Sequence, residues 1–117
     1  MKRLIRSETV LREIDECLFL SGEEFGFAAA IRYRSLIQTA LAEIASSPQP
    51  SGSREFEEYR PGARLYHLRH SRRKAAVDGM MVKRPRHFIA YVEKEDAILI
   101  LRILHDSMDL PNQSDTF

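Results

Sequence analysis

The fold is decided by residues 87–105, which read HFIAYVEKEDAILILRILH. Residues 87–93 are rich in aromatic and β-branched side chains, and residues 97–105 are almost entirely isoleucine and leucine, so each segment predicts a β-strand. The polar residues 94–96 between them predict a tight turn, and hence a β-hairpin. Because the second strand is apolar at nearly every position, we expect it to lie in the centre of a sheet that helices cover.

The chain N-terminal to this hairpin predicts one short strand and two helices. Residues 2–6 read as the strand, and Ser7 can cap a first helix. Ser21 and Glu24 form a capping-box pattern, which predicts that a second helix begins there, and Pro48 lies just beyond its end. Apolar residues at helical spacing define the core face of the second helix: Tyr33, Leu36, Ile37, Ala40, Leu41 and Ile44.

The middle of the chain completes the fold. Residues 48–61 are rich in Pro, Gly, Ser and Glu and read as a loop, and residues 64–70 alternate as a strand would. The order β-α-α-β-β-β predicts a two-layer α+β fold, in which an antiparallel sheet of three to four strands packs against an N-terminal helical hairpin. We assign residues 1–111 to a single domain and expect residues 112–117 to be a frayed tail.

Composition limits the class of protein. The chain has 117 residues, of which 44% are hydrophobic and 30% charged, as in globular proteins. Cys17 is the one cysteine, which excludes an internal disulfide framework. No stretch is long enough to span a membrane and no signal peptide precedes the first helix, so we expect a cytoplasmic protein.

Positive charge is concentrated in one segment. Residues 60–87 hold nine Lys and Arg against one acid, whereas the rest of the chain holds nine against sixteen. Such a segment attracts anionic partners. We call residues 71–86 the basic arm. Asp78-Gly79 lies between two apolar runs within it and predicts a β-hairpin turn, although Pro85 restricts any second strand to an edge.

Motifs for enzymatic chemistry are missing from the sequence. It has no phosphate-binding glycine loop, no His-Glu-x-x-His and no nucleophile elbow, and we expect neither a metal nor a cofactor. His67 and His70 point to opposite faces of a strand, while His87 and His105 end neighbouring strands and can lie close together. Arg102 interrupts an apolar strand, so it must be paired or face a partner.

The end of the last strand resembles a known family. Residues 97–110 contain the pattern Arg-x-Leu-His-x-x-x-Asp, beginning at Arg102, and resemble the C-terminal strand of the ParE branch of the ParE/RelE toxin superfamily. Residues 86–92 resemble the penultimate strand of that family, and residues 61–70 resemble its first strand after the helices. The similarity runs from about residue 2 to residue 111, with the same order of elements.

The resemblance implies the toxin of a type II toxin–antitoxin system. ParE toxins are described as inhibitors of DNA gyrase, which block replication without being enzymes and are neutralised by an acidic ParD-like antitoxin in a hetero-oligomer. The basic arm is longer than the hairpin connection of the family pattern. We hypothesise that its cations and their neighbours contact gyrase, gyrase-bound DNA or the antitoxin; these residues are Arg69, Arg72, Arg73, Lys74, Lys83, Arg84, Arg86 and Arg102.

Two other functions stay open. RelE toxins share the fold but cleave messenger RNA on the ribosome, with an Arg and a Tyr at the end of the last strand. Residues 105–113 here hold two acids and no Arg, Lys or Tyr, which would repel a phosphate. If the chain were RelE-like, His105 would be the general acid, helped by Arg64 or Arg102. The third alternative is a non-toxic relative that binds DNA or protein.

Overall fold

Two long helices and five strands make up the fold. A computed structural model describes residues 1–107; the predicted tail 112–117 and the last four residues assigned to the domain lie outside the described residues. The elements are β1 (Arg3–Arg6), α1 (Glu8–Phe25), α2 (Phe27–Ser46), β2 (Arg54–Glu55), β3 (Ala63–His67), a 3₁₀ turn (Leu68–Ser71), β4 (His87–Glu93) and β5 (Ala97–His105).

The strands form one mixed sheet in the order β1-β5-β4-β3-β2. The α+β class, the two layers and the order of elements are confirmed, and the hairpin strands β4 and β5 have the predicted bounds. The prediction of three to four antiparallel strands was wrong in two respects. The sheet has five strands, because the loop 48–61 contributes the two-residue β2, and β1 pairs with β5 in parallel. Elements so short have their pairing set by tertiary contacts rather than by local sequence.

The helical hairpin turns at a single glycine. The Ser7 side chain accepts a hydrogen bond from the Val10 amide (3.2 Å) and caps α1 as predicted. The predicted helix boundary at Ser21 was wrong, since α1 continues to Phe25. The chain turns instead at Gly26, whose φ of 95° is easily reached only by glycine.

Both faces of the sheet are covered. The first core lies between the sheet and the helices and contains all six predicted apolar residues of α2. The second lies on the opposite face, where the loop 48–62 places Phe56 against Leu65, Ala90 and Leu104. The predicted strand 64–70 ends at His67, where the 3₁₀ turn redirects the chain into the basic arm. Within residues 1–107, no helix has the length and apolar character needed to cross a membrane.

Candidate functional site

The basic arm is a folded loop whose tip is a tight turn. Val77 and Met80 exchange two backbone hydrogen bonds of 2.9 Å, and Asp78 and Gly79 between them both have positive φ (52° and 77°), as in a type I′ hairpin turn. The predicted turn is therefore confirmed. The strand pairing behind it is limited to this one bridge, so the arm is not a long β-hairpin.

Hydrogen bonds hold the base of the arm on α2. The Ser71 hydroxyl donates to Glu43 Oε1 (2.6 Å), and Lys74 Nζ lies 3.2 Å from Glu43 Oε2. The Ser35 hydroxyl donates to the carbonyl of the buried Ala75 (2.8 Å). These contacts fix the N-terminal half of the arm against the helical layer.

Two arginines of the basic arm form hydrogen bonds within the fold. Arg72 donates to the Lys83 carbonyl (3.0 Å) and thereby joins the two halves of the arm. Arg86 Nε donates to Asp106 Oδ1 (2.9 Å), and His67 Nε2 lies 3.0 Å from the other oxygen of the same carboxylate. Partial burial opposes ionisation of Asp106, yet the hydrogen bonds from His67 and Arg86 outweigh it and lower the pKa of Asp106.

A chain of polar groups lies below the arm, centred on His87. The Arg86 amide donates to the Tyr33 hydroxyl (3.1 Å), which lies 2.6 Å from His87 Nδ1. Burial raises the pKa of Tyr33, so the hydroxyl keeps its proton. The other ring nitrogen of His87, Nε2, lies 3.3 Å from Cys17 Sγ.

Burial decides the protonation states of Tyr33, His87 and Cys17. Burial, reinforced by the nearby His105, lowers the pKa of His87 to about 4, so the imidazole is neutral at neutral pH. Burial, together with Glu13 and Glu16, raises the pKa of Cys17 to about 11. A protonated thiol beside two carboxylates is a weak nucleophile, so the chain Tyr33–His87–Cys17 is suited to structure rather than to nucleophilic catalysis.

Arg102 forms an ion pair within the fold, which is one of the two alternatives predicted for it. Its Nε and Nη2 atoms each lie 2.8 Å from Glu13 Oε2 of α1, and the Ile103 amide donates to Glu13 Oε1 (3.0 Å). This pairing raises the pKa of Arg102 further. Because β1 pairs with β5 only as far as Ile100, Glu13 satisfies a β5 amide that lies beyond the end of β1.

These elements enclose an open cleft of about 1060 Å³ between the helical hairpin, the second half of the arm and the end of β5. Its lining combines carboxylates of α1, cations of the arm and exposed apolar side chains. Such a volume is at the upper end of the range for small-molecule pockets and can accommodate part of a macromolecule. Among the described residues, no group of three or more His, Cys, Asp or Glu side chains is placed to hold a metal ion.

The eight predicted partner-binding residues separate into two groups. Four have an ion pair or hydrogen bond of the side chain within the fold: Arg72, Lys74, Arg86 and Arg102. Within residues 1–107, no ion pair involves the exposed side chains of the other four: Arg69, Arg73, Lys83 and Arg84. The second group therefore offers a partner exposed cations that have no ion pair within residues 1–107.

Of the two arginines considered for RNA cleavage beside His105, Arg102 lines the same cleft as His105 and Arg64 does not. His105 is 41% exposed at the cleft and its Nδ1 accepts from the Ser107 amide (3.1 Å). Arg64 pairs with Tyr91 in the sheet, whereas His105 pairs with His87. Four residues along a strand correspond to about 13 Å, so Arg64 lies far from His105.

Glu13 and the link from His87 to Tyr33 were not predicted from the sequence. Glu13 was not identified, because its role depends on the packing of α1 against β5, although the charge of Arg102 in an apolar strand indicated that some partner was needed. The closeness of His87 and His105 was predicted and is confirmed, with ring centroids 5.1 Å apart. The link from His87 to Tyr33 joins residues 54 positions apart, and no local signal could have found it.

Comparisons with known proteins agree with the fold. The family described as ParE toxin of type II toxin-antitoxin system, parDE, matches residues 4–110. Among curated proteins, none matches the chain. A structure described as the chromosomal ParDE TA system from P. aeruginosa aligns with a TM-score of 0.65 and 17% identity over 90% of this chain and 96% of the other. A copper-bound mutant toxin from Helicobacter pylori aligns with a TM-score of 0.56 and 15% identity, over 92% and 97% of the two chains.

Proposed function

The chain belongs to the ParE toxin family of type II toxin–antitoxin systems, and we propose that it blocks replication by binding DNA gyrase, with no chemical step of its own. We further propose that an acidic ParD-like antitoxin neutralises it by covering the same cations. The observation that supports both proposals best is the set of four exposed cations without an ion pair in residues 1–107.

Charge and anchoring together favour a binding surface. The arm is held on α2 through Ser71, Lys74 and Ala75, so its remaining cations are presented from a defined backbone. Preorganised charge of one sign accelerates encounter with an oppositely charged macromolecule and orients it. Gyrase-bound DNA and an acidic antitoxin segment both carry the required negative charge.

The state of the histidines favours binding over catalysis. His87 is neutral and has hydrogen-bond partners at both ring nitrogens, and His67 has partners at both of its own. Of the two arginines considered as helpers of His105, Arg64 lies about 13 Å along the strands from the level of His105, and Arg102, which lines the same cleft, is paired with Glu13. A general acid and a phosphate-binding arginine would need to reach the same phosphate, within hydrogen-bond distance of the reacting atoms.

The proposal is tested with purified protein in a gyrase supercoiling assay. The variant Arg73→Glu, Lys83→Glu, Arg84→Glu reverses three exposed cations that have no ion pair within residues 1–107. It spares the anchoring residues, so its thermal unfolding should match that of the wild type. We expect its inhibitory concentration to rise more than tenfold. The matched control Arg3→Glu, Arg12→Glu, Lys94→Glu changes the net charge equally, at exposed positions on β1, α1 and the β4–β5 turn, and should inhibit as the wild type does.

A translating extract tests the alternative activity. We expect the wild-type protein to leave the messages intact. Cleavage of messages that is lost on His105→Ala, without inhibition of gyrase, would overturn the proposal in favour of a ribosome-dependent nuclease. Equal loss of gyrase inhibition in the arm variant and in the matched control would show that only net charge matters, and would remove the arm from the site.

A further inference from the structure

The cleft has two rims of opposite charge. Glu16 and Glu24 of α1 are exposed on one rim, and Lys83 and Arg84 of the basic arm are exposed on the other. Within residues 1–107, none of these four side chains forms an ion pair. The cleft therefore presents carboxylates on α1 and cations on the arm, and Arg32 of α2 also lines it.

Apolar side chains lie between and beside these rims. Leu20, Met80 and Met81 are exposed and line the cleft, as does Phe25, which is 70% exposed. Phe27 is 80% exposed and lies at the same end of the helical hairpin, but it does not line the cleft of its own chain. An apolar patch of this kind, surrounded by polar residues, is typical of a protein–protein interface.

The charges select the occupant. A segment carrying only acidic residues would be attracted by Lys83 and Arg84 but repelled by Glu16 and Glu24, and a segment carrying only basic residues would meet the reverse. The occupant must carry both signs with apolar surface between them. The cleft itself has this arrangement, so two copies related by a two-fold axis place the acidic rim of each against the basic rim of the other.

We propose that this cleft is a homodimer interface, in which α1 of one copy faces the basic arm of the second copy and the apolar residues of both are buried between them. The two-fold symmetry makes every contact occur twice, so each copy supplies the apolar tip at Phe25 and Phe27 and also receives that of its partner. This inference goes beyond the proposed function, and its readout is molecular mass rather than inhibition of gyrase.

Charge reversal gives a test with an internal complement. The α1 variant Glu16→Lys, Glu24→Lys has two basic rims, and the arm variant Lys83→Glu, Arg84→Glu has two acidic rims. Each variant alone repels its own copy at both contacts, whereas a mixed dimer of the two variants restores attraction at both. The controls are Glu23→Lys on α1 and Arg73→Glu on the arm, which are exposed but do not line the cleft.

Sedimentation equilibrium over a range of protein concentrations measures the outcome. The wild type should approach twice the 13.5 kDa of the single chain, each reversed variant should stay at the mass of one chain, and an equimolar mixture of the two should form dimers again. Phe25→Ser should weaken the dimer at least tenfold, and the controls should behave as the wild type. A monomeric wild type at all concentrations, dimers of each reversed variant, or a mixture that stays monomeric would each overturn the proposal. Thermal unfolding of each variant verifies that it is folded.

Discussion

Replacement of Glu13 by alanine should be among the most destabilising single changes on the surface of α1. The Glu13 carboxylate accepts from Arg102 through one oxygen and from the Ile103 amide through the other. The side chains of Glu13 and Arg102 are 18% and 25% exposed, so the pair is mostly shielded from solvent. Glu13→Ala would leave a guanidinium and a strand amide without these partners.

The size of the effect follows from the two lost contacts. A charged hydrogen bond of this kind contributes roughly 1.5–3 kcal/mol, and solvent screening at one-quarter exposure places this one at the lower end. An amide left without an acceptor costs roughly 1–2 kcal/mol more. We therefore expect Glu13→Ala to reduce the free energy of unfolding by about 3 kcal/mol. Glu13→Gln keeps an acceptor for the Ile103 amide and should cost only about 1 kcal/mol.

Urea denaturation at pH 7 measures these differences, and the melting temperature should fall by about 4 °C for each kcal/mol. Glu16→Ala is the matched control, because Glu16 is exposed on the same helix without an ion pair in residues 1–107, and it should change stability by less than about 0.5 kcal/mol. In an Arg102→Met background, Glu13→Ala should cost less, since only the amide contact remains to be lost. A loss below about 1 kcal/mol for Glu13→Ala, or equal losses for Glu13→Ala and Glu13→Gln, would refute this account.

Two further predictions concern acid and a glycine. The pKa of His87 is about 4 in the fold against 6.5 as its ordinary value, so the unfolded chain binds more protons between these limits and stability falls as the pH drops. Urea denaturation should show that His87 reduces the free energy of unfolding by about 2 kcal/mol between pH 8 and pH 5. His87→Gln should lessen this pH dependence, and an identical dependence of stability on pH in the variant and the wild type would contradict the prediction. A Cβ atom at Gly52 would lie 2.7 Å from the His70 ring at a φ of 96°, whereas at Gly79, with a φ of 77°, it would meet nothing within 4 Å. Gly79→Ala should therefore lower the free energy of unfolding by about 1 kcal/mol through backbone strain alone. Gly52→Ala should lower it by about 1 kcal/mol more than Gly79→Ala does, because of the clash with His70, and replacing His70 by alanine as well should remove this difference. Equal melting temperatures for the two single variants would show that the His70 ring moves aside freely.

The sheet and the helices differ in how far the sequence predicts them. The bounds of β4 and β5 follow from a strong local pattern, in which two apolar runs are separated by three polar residues. The helix boundary at Ser21 was misplaced because its capping pattern is compatible with continuation of the helix. Gly26 permits a tighter link, and packing of α1 against α2 selects it. The parallel pairing of β1 depends on which edge of β5 stays open after the hairpin forms, and no pattern within residues 2–6 contains that information.

The candidate site shows the same division. The density of cations in residues 60–87 follows from composition and was predicted. Which of these cations can contact a partner does not follow from composition. The Arg72 side chain donates to the Lys83 carbonyl in the other half of the arm, and Lys74 pairs with Glu43 of α2, 31 residues away. Reversal of such residues would disturb the fold as well as binding. Arg73 and Lys83 look the same as these in the sequence, yet their exposed side chains form no ion pair within residues 1–107.

The two proposals use overlapping cations, and this overlap has a consequence for the free toxin. Lys83 and Arg84 lie at the cleft and on the arm, so a dimer would cover them and compete with gyrase or an antitoxin for the same charges. Competition of this kind weakens as the protein is diluted, because dimerisation depends on the concentration of the protein, whereas binding to a partner in excess depends on the concentration of that partner. Arg73 lies on the arm but outside the cleft, so Arg73→Glu should weaken gyrase inhibition while the dimer persists. The opposite pattern, in which Arg73→Glu abolishes the dimer and inhibition is unchanged, would assign the arm to self-association and require another surface for gyrase.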